Sequence, residues 1–195
     1  MTSVQGEARG GTYWRTVADP RVLWPREVAD FHPWLIGVLD RLAPLVGVER
    51  LEYVGREMPV GERWVHTDRH GRDRLVGGVR PDITARDEAG RRVVIEAQYG
   101  PADHQHLGQL LTYGRATGAA LAVWVVADLD PVFSRDHLDV LAEQNVLFAG
   151  RRRFALVAVT VESDPSATPP VGDVSLVPRF HPVDLVTGTW ASPPG

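Results

Sequence analysis

The spacing of apolar positions changes several times along the chain, and each change predicts a new element. Between residues 30 and 46 apolar side chains recur every three to four positions, which predicts an amphipathic helix. Asp30 is placed as its N-cap and Gly47 as its stop. Pro33 falls in the first turn, where it is tolerated, whereas Pro44 is expected to end the helix or distort its last turn.

Alternating and continuous apolar runs then predict strands. Residues 51–60 alternate as a half-buried strand does, and the charged, turn-prone stretch 61–78 is read as a surface loop or an extended hairpin. The runs "DITARD" and "RRVVIEAQY" flank a short turn at 87–90, so they predict a β-hairpin. The unbroken apolar run "AALAVWVVAD" is typical of a central strand that is covered on both faces.

Two more helices complete the pattern. One follows Ala102 and stops at Gly118, and the other begins after Ser134 as N-cap, before two further strands at "VLFAG" and "FALVAVTVE". The αβββαβ order predicts a mixed β-sheet core flanked by helices, in a protein of the α/β or α+β class, of which α/β is preferred.

Composition and patterning together predict three regions. Residues 1–19 are expected to be a loose lead-in, 20–162 the folded domain, and 163–195 a Pro-rich linker and tail that adds an edge segment. A chain of 195 residues with 44% hydrophobic content suits one such domain.

Charge and missing residue types exclude several classes of site. The net charge of -4 excludes nucleic-acid binding by overall basic charge, so any DNA contact has to be local. The absence of Cys excludes disulfides, thiolate zinc sites and Cys nucleophiles. The chain also lacks Lys, so all 21 basic residues are Arg. No signal-peptide core or membrane-length apolar run is visible, and we expect a cytoplasmic protein without membrane contact.

The predicted hairpin carries an acid in each strand. Because the turn folds the second strand back along the first, Asp82 and Glu96 are expected to meet at one end of the sheet. Two carboxylates placed together repel each other, and a divalent cation is the usual solution; Mg²⁺ is typically held by one or two carboxylates and substrate phosphate oxygens. Gln98 shares the face of Glu96, since alternate strand residues point the same way. Solvent-facing or Arg-paired acids are the alternative.

Two motifs resemble a known family. Pro81-Asp82 followed by Glu96-Ala97-Gln98 resembles the motif of the PD-(D/E)XK nuclease superfamily. "DHQHLGQLLTYG" contains Gln109 and Tyr113, which are similar to the Gln-x-x-x-Tyr helix of its exonuclease-like branch. Several segments also look like a small group of bacterial proteins with an uncharacterised nuclease-like domain, whose motif commonly ends in Gln. The resemblance spans about 24–160 and is specific between 80 and 125.

The resemblance implies a restriction-endonuclease-like fold and a role for each motif residue. Asp82 and Glu96 would bind Mg²⁺ or Mn²⁺, and Gln109 with Tyr113 would support the site. Gln98 stands where the superfamily usually has Lys. A neutral amide can orient the attacking water only by hydrogen bonds.

Further candidates lie beside the motif. This superfamily often recruits an additional acidic ligand, for which Glu57 is preferred over Glu27. Basic groups flanking the hairpin would contact the phosphate backbone, or simply be solvated, and two histidines would contact phosphate or relay a proton. These nucleic-acid-binding candidates are Arg80, Arg91, Arg92, His104 and His106.

These observations predict a metal-dependent DNA endonuclease or exonuclease that hydrolyses phosphodiester bonds. The alternative is a catalytically weak or inactive nuclease-fold module that binds nucleic acid or a partner protein. RNA or modified DNA as substrate, and a homodimer or a partner protein, stay open at this point.

Overall fold

A computed structural model describes residues 2–8, 11–163 and 175–189. Within these residues the chain forms ten strands and four α-helices. In chain order they are β1 (Thr2–Ala8), β2 (Gly11–Ala18), α1 (His32–Gly37), α2 (Leu39–Leu45), β3 (Glu52–Arg56), β4 (Val60–Thr67), β5 (Asp73–Val79), β6 (Ile83–Arg86), β7 (Arg92–Tyr99), α3 (His104–Thr117), β8 (Leu121–Ala127), α4 (Arg135–Leu147), β9 (Arg153–Ser163) and β10 (Leu176–Pro182).

The first helical segment differs from the single helix predicted over 30–46. A π-helical turn at Glu27–Phe31 leads into α1, and the backbone leaves the helical region at Val38 before α2 begins. Asp30 is therefore not an N-cap; its carboxylate accepts hydrogen bonds from Arg26 instead. The predicted end is confirmed, because α2 stops just after Pro44 and Gly47 takes φ +67°.

The main sheet is mixed. Its strand order is β1-β2-β9-β8-β7-β6-β3, with β10 also paired to β9. The central strands β7, β8 and β9 are parallel, and the other pairs are antiparallel. Every residue of β8 is buried, as expected for a strand with neighbours and cover on both sides. The stretch 61–78 takes the hairpin alternative, because β4 and β5 pair as a separate two-stranded sheet.

Two apolar cores cover the two faces of this sheet. Residues of α1 and α2 pack on the face that carries Ile83, Ile95 and Val123. Helices α3 and α4 pack on the other face, around Trp124. Because strand side chains alternate, Glu96 and Gln98 project to the α3 side. The site residues of β7 thus stand at the margin of the second core.

The predicted β6–β7 hairpin is confirmed. Ile83 pairs with Ile95 and Arg86 with Arg92. Asp87 stabilises the turn, since its buried carboxylate accepts hydrogen bonds from the backbone N–H groups of Ala89 and Arg91. Asp82 and Glu96 therefore lie at the end of the hairpin opposite the turn.

The terminal segments contribute more structure than the sequence indicated. The lead-in expected to be loose at 1–19 contains β1 and β2, and Val17 and Ala18 of β2 pair with β9. Its residues suit strands, but the segment is short and contains several Gly residues, so it shows no sustained alternation of apolar and polar positions. The tail adds β10 at the edge, as expected; the Pro-rich linker falls largely in 164–174, outside the described residues.

The observed class is mixed α/β with helices flanking the sheet, as predicted. The αβββαβ succession is present if β4 and β5 are taken as an added hairpin. None of the helices in the described ranges combines the length and apolar character that a membrane crossing requires.

Candidate functional site

The candidate site lies at the C-terminal end of β7, which extends beyond the first residue of its neighbour β6. The first pair of the hairpin is Ile83 with Ile95, so the N–H of Ala97 has no strand partner on that side. The Asp82 carboxylate accepts this N–H at 2.9 Å. The backbone N–H of Tyr99 also acts on the Glu27 carboxylate and opposes the rise of its pKa. A backbone donor that must be satisfied thus holds Asp82 at this edge of the sheet.

Glu96 is the most perturbed carboxyl of this group. It is 3% exposed, and burial and the charge of Asp82 raise its pKa to about 9. Its Oε2 atom is buried and has no hydrogen-bond partner among the described residues. A carboxyl in this state keeps a proton at neutral pH unless a positive charge enters the site.

Glu27, Asp82 and Glu96 together form a group that we call the acid cluster. Burial is the main reason that the pKa values of Glu27 and Asp82 are raised, and the charge of Glu27 also acts on Glu96. His32 and His106 act against this rise, toward lower pKa values of Glu27 and Asp82. The acid cluster is thus surrounded by histidines and has no arginine among its main partners in the described chain.

His32 carries a second orphaned group. Its side chain is 1% exposed, and neither ring nitrogen has a hydrogen-bond partner within the described residues. A buried imidazole without partners is costly, so it favours a ligand or a charge at this place.

The Gln98 amide is fully oriented by its neighbours. Trp124 donates its Nε1–H to Oε1 of Gln98 at 3.0 Å, and an indole N–H can only donate, which fixes which end of the amide is oxygen. The Nε2 atom donates to the carbonyl of Pro101 at 2.7 Å and to Oδ2 of Asp103 at 3.1 Å. Both amide hydrogens are used, so Gln98 has none left with which to orient a water.

Asp103 connects Gln98 to His106. It caps α3 by accepting the backbone N–H of His106, as an acid at an N-cap does. Its carboxylate oxygens also lie 2.9 Å from Nδ1 of the His106 ring. Burial acts to raise the pKa of Asp103, but the hydrogen bonds from His106 outweigh it and lower the pKa.

The helix motif faces the acid cluster through Tyr113. Burial is the main cause that raises the pKa of Tyr113 to about 12, and the charges of Glu96 and Asp82 add to it. Gln109 lies one turn earlier on the same face, and its Oε1 is buried without a hydrogen-bond partner in the described part of the chain. Both residues are therefore placed where a supporting role is possible.

Two of the predicted arginines have partners within the protein. Arg91 forms an ion pair with Asp87, and Arg92 donates to the carbonyl of Thr117. Both stand at the turn end of the hairpin, about 16 Å (Arg91) and about 13 Å (Arg92) along the chain from Glu96 at the usual rise per residue. Arg80 is exposed and adjoins the acid cluster in sequence, so it is the arginine of the three that stays a candidate for phosphate contact.

The structure also separates the other paired candidates. Glu57 is exposed and reaches the hairpin through its backbone N–H, whereas the charge of Glu27 acts on Glu96. Of the two, Glu27 therefore belongs to the acid cluster. His104 contacts a different partner from His106: its Nδ1 lies 2.9 Å from Nε2 of His137, whereas the ring of His106 is bonded to Asp103.

The donor chemistry of the acid cluster suits a divalent cation. Three carboxyls with raised pKa values and an unpartnered carboxylate oxygen would gain from a positive charge, and oxygen ligands suit Mg²⁺ or Mn²⁺. Within the described residues no three His, Asp or Glu side chains form a ready cage for a metal ion. Mg²⁺ usually keeps several waters, so one or two carboxylates suffice.

Comparison of the chain with protein-family models, with curated proteins and with solved structures gave no match.

Three site residues were missed by sequence reasoning: His32, Asp103 and Trp124. An Asp immediately before the first residue of a helix is an N-cap signal, and this signal would have identified Asp103. No pattern marked His32 or Trp124, because both look like ordinary core positions.

Proposed function

We propose that the protein is a metal-dependent nuclease that hydrolyses phosphodiester bonds of DNA. The observation that carries this proposal is the acid cluster: Asp82 and the buried Glu96 lie at the same end of the hairpin, Glu27 interacts electrostatically with both, and all three carboxyls have raised pKa values with no arginine among the groups that chiefly act on them. Such perturbation by burial and like charge is characteristic of functional sites.

In this proposal Asp82 and Glu96 hold Mg²⁺ or Mn²⁺, with Glu27 as a further ligand. When bound, the ion polarises the phosphodiester and lowers the pKa of a water molecule. Tyr113 and Gln109 border the ligands from α3, and Arg80 contacts the DNA backbone beside them. The order of the motif residues and the mixed sheet support a restriction-endonuclease-like arrangement.

One observation favours a second candidate, a nuclease-fold module that binds nucleic acid or a partner protein without cutting. The chain has no Lys, and Gln98 donates both amide hydrogens in hydrogen bonds to Pro101 and Asp103. A site that lacks any group to activate water would be catalytically weak.

A cleavage panel separates the two candidates. Purified protein is incubated with supercoiled plasmid, linear duplex, single-stranded DNA and RNA, each with Mg²⁺, Mn²⁺ or EDTA. We expect metal-dependent cutting in at least one lane that Asp82→Ala abolishes, while Asp136→Ala, an exposed acid on α4, retains it. DNA binding without cutting under any ion would favour the module, and cutting that survives in Asp82→Ala would refute the proposed site.

A further inference from the structure

The hydrogen bonds around Gln98 lead to His106, a residue to which the proposed function gives no chemical role. Trp124 fixes the oxygen of the amide, and the amide nitrogen then donates to Asp103. Asp103 is in turn bonded to the His106 ring at 2.9 Å. The group that occupies the usual lysine position is therefore connected, through one carboxylate, to an imidazole.

This arrangement fixes the tautomer of His106. An ionised carboxylate only accepts hydrogen bonds, so Nδ1 must carry a hydrogen toward Asp103. In the neutral ring the lone pair then belongs to Nε2. A carboxylate that holds Nδ1–H also stabilises the imidazolium that forms when Nε2 takes a proton.

Two hydrogen bonds, through Asp103, connect the ring to Gln98, which shares the face of Glu96 on β7, so the ring lies beside the acid cluster. His106 also acts electrostatically on Glu27, which approaches from the π-helical turn, and on Asp82, which precedes β6. Asp103, on its own helix, is the acid bonded to the ring. The side chain keeps 24% exposure, so water and a phosphate can reach it.

We infer that His106 is the general base of this site, oriented by Asp103, and that Gln98 is a positioning residue acting through Asp103. The inference rests on the proposed nuclease function. It gives this lysine-free chain a group to activate water, and it explains why a glutamine ends the strand motif.

The step balances without another reactant. A water molecule gives a proton to Nε2 of His106 while its oxygen forms a bond to phosphorus. The bond from phosphorus to the leaving oxygen breaks with its electron pair, and that oxygen takes a proton that the imidazolium returns through solvent. One water is consumed, and the products are a phosphate monoester and a hydroxyl group.

The test compares kcat and KM of His106→Gln, Gln98→Leu and a matched control, His70→Gln, on the substrate and metal that give cutting. His70 lies exposed in the turn between β4 and β5. General-base loss is expected to lower kcat about 10²- to 10⁴-fold in His106→Gln with KM little changed. Loss of positioning in Gln98→Leu is expected to lower kcat about 10- to 100-fold.

Two further readouts distinguish catalysis from structure. Long-range ¹H–¹⁵N spectra of the histidine rings should show the Nδ1–H tautomer for His106 in the wild type and a mixture in Asp103→Asn. The acidic limb of the kcat–pH profile should disappear in His106→Gln, while thermal unfolding stays close to wild type.

The outcomes are separable. Wild-type cutting with unchanged kcat in His106→Gln would overturn the inference and leave the proposed function standing, as would a mixed tautomer in the wild type. No metal-dependent cutting by the wild type under any condition would overturn the proposed function and this inference with it.

Discussion

The raised pKa of Glu96 makes the stability of the metal-free protein depend on pH. An acid with a pKa near 9 in the folded state and near 4.5 when unfolded retains a proton between these values only while folded. The unfolded state then binds fewer protons, so stability falls as pH rises through this window, by about 1.4 kcal/mol per pH unit for one proton. Between pH 7 and 8.5 the expected loss is about 2 kcal/mol.

This window isolates the acid cluster from other shifted groups. The pKa of His137 is lowered, mainly by burial, so its contribution changes only below about pH 6.5. Tyr113, with a pKa of about 12, changes only above about pH 10. Asp82 has a raised pKa and its effect has the same sign as that of Glu96, so the slope belongs to the interacting pair.

The perturbation is Glu96→Gln, which keeps the shape of the side chain and cannot ionise. Thermal unfolding in EDTA at pH 7, 7.5, 8 and 8.5 should show the wild-type midpoint falling by about 4 to 8 °C, since 1 kcal/mol moves it by about 2 to 4 °C at this size. Glu96→Gln should flatten most of this slope, and Glu143→Gln, an exposed acid on α4, should keep it. A wild-type slope that Glu96→Gln leaves unchanged would refute the reasoning.

Three further predictions concern single side chains. Glu27→Gln is expected to weaken Mn²⁺ binding about tenfold or more in calorimetry, whereas Glu57→Gln should change it less than twofold; equal effects would contradict the assignment of Glu27. Tyr113→Phe should lower the rate of DNA cleavage and leave thermal unfolding within about 1 kcal/mol of wild type, because its ring packing is kept. Asp87→Ala should lower the free energy of unfolding in urea by about 2 kcal/mol, since the turn loses two backbone hydrogen bonds to a charged acceptor, and a change below about 0.5 kcal/mol would argue against that role.

The elements that the sequence predicted are those whose signals are local. The β6–β7 hairpin follows from two β-type runs around a turn with Asp87 and Gly90, and α3 from its periodicity and Gly118. The meeting of Asp82 with Glu96 follows from the hairpin alone. These features needed no knowledge of distant contacts.

The features that sequence reasoning missed depend on tertiary structure. Glu27 was ranked below Glu57, and it joins the acid cluster because a π-helical turn, which no local pattern marks, brings its carboxylate near Asp82 and Glu96. Arg91 looked like a phosphate contact by its position in sequence, but the turn directs it to Asp87. The role expected of Gln98 changed because its partners, Asp103 and Trp124, come from different elements.

The claim that the acid cluster takes a divalent cation is tested most directly by calorimetric titration of Mn²⁺ into the metal-free protein at pH 7.5, repeated in buffers of different ionisation enthalpy. Because the acid cluster retains a proton when no metal ion is bound, binding of Mn²⁺ has to release that proton. The account predicts saturable binding with release of close to one proton, both lost in a variant that carries Asp82→Asn and Glu96→Gln. Absence of binding, or binding of equal strength and without proton release in that variant, would contradict it.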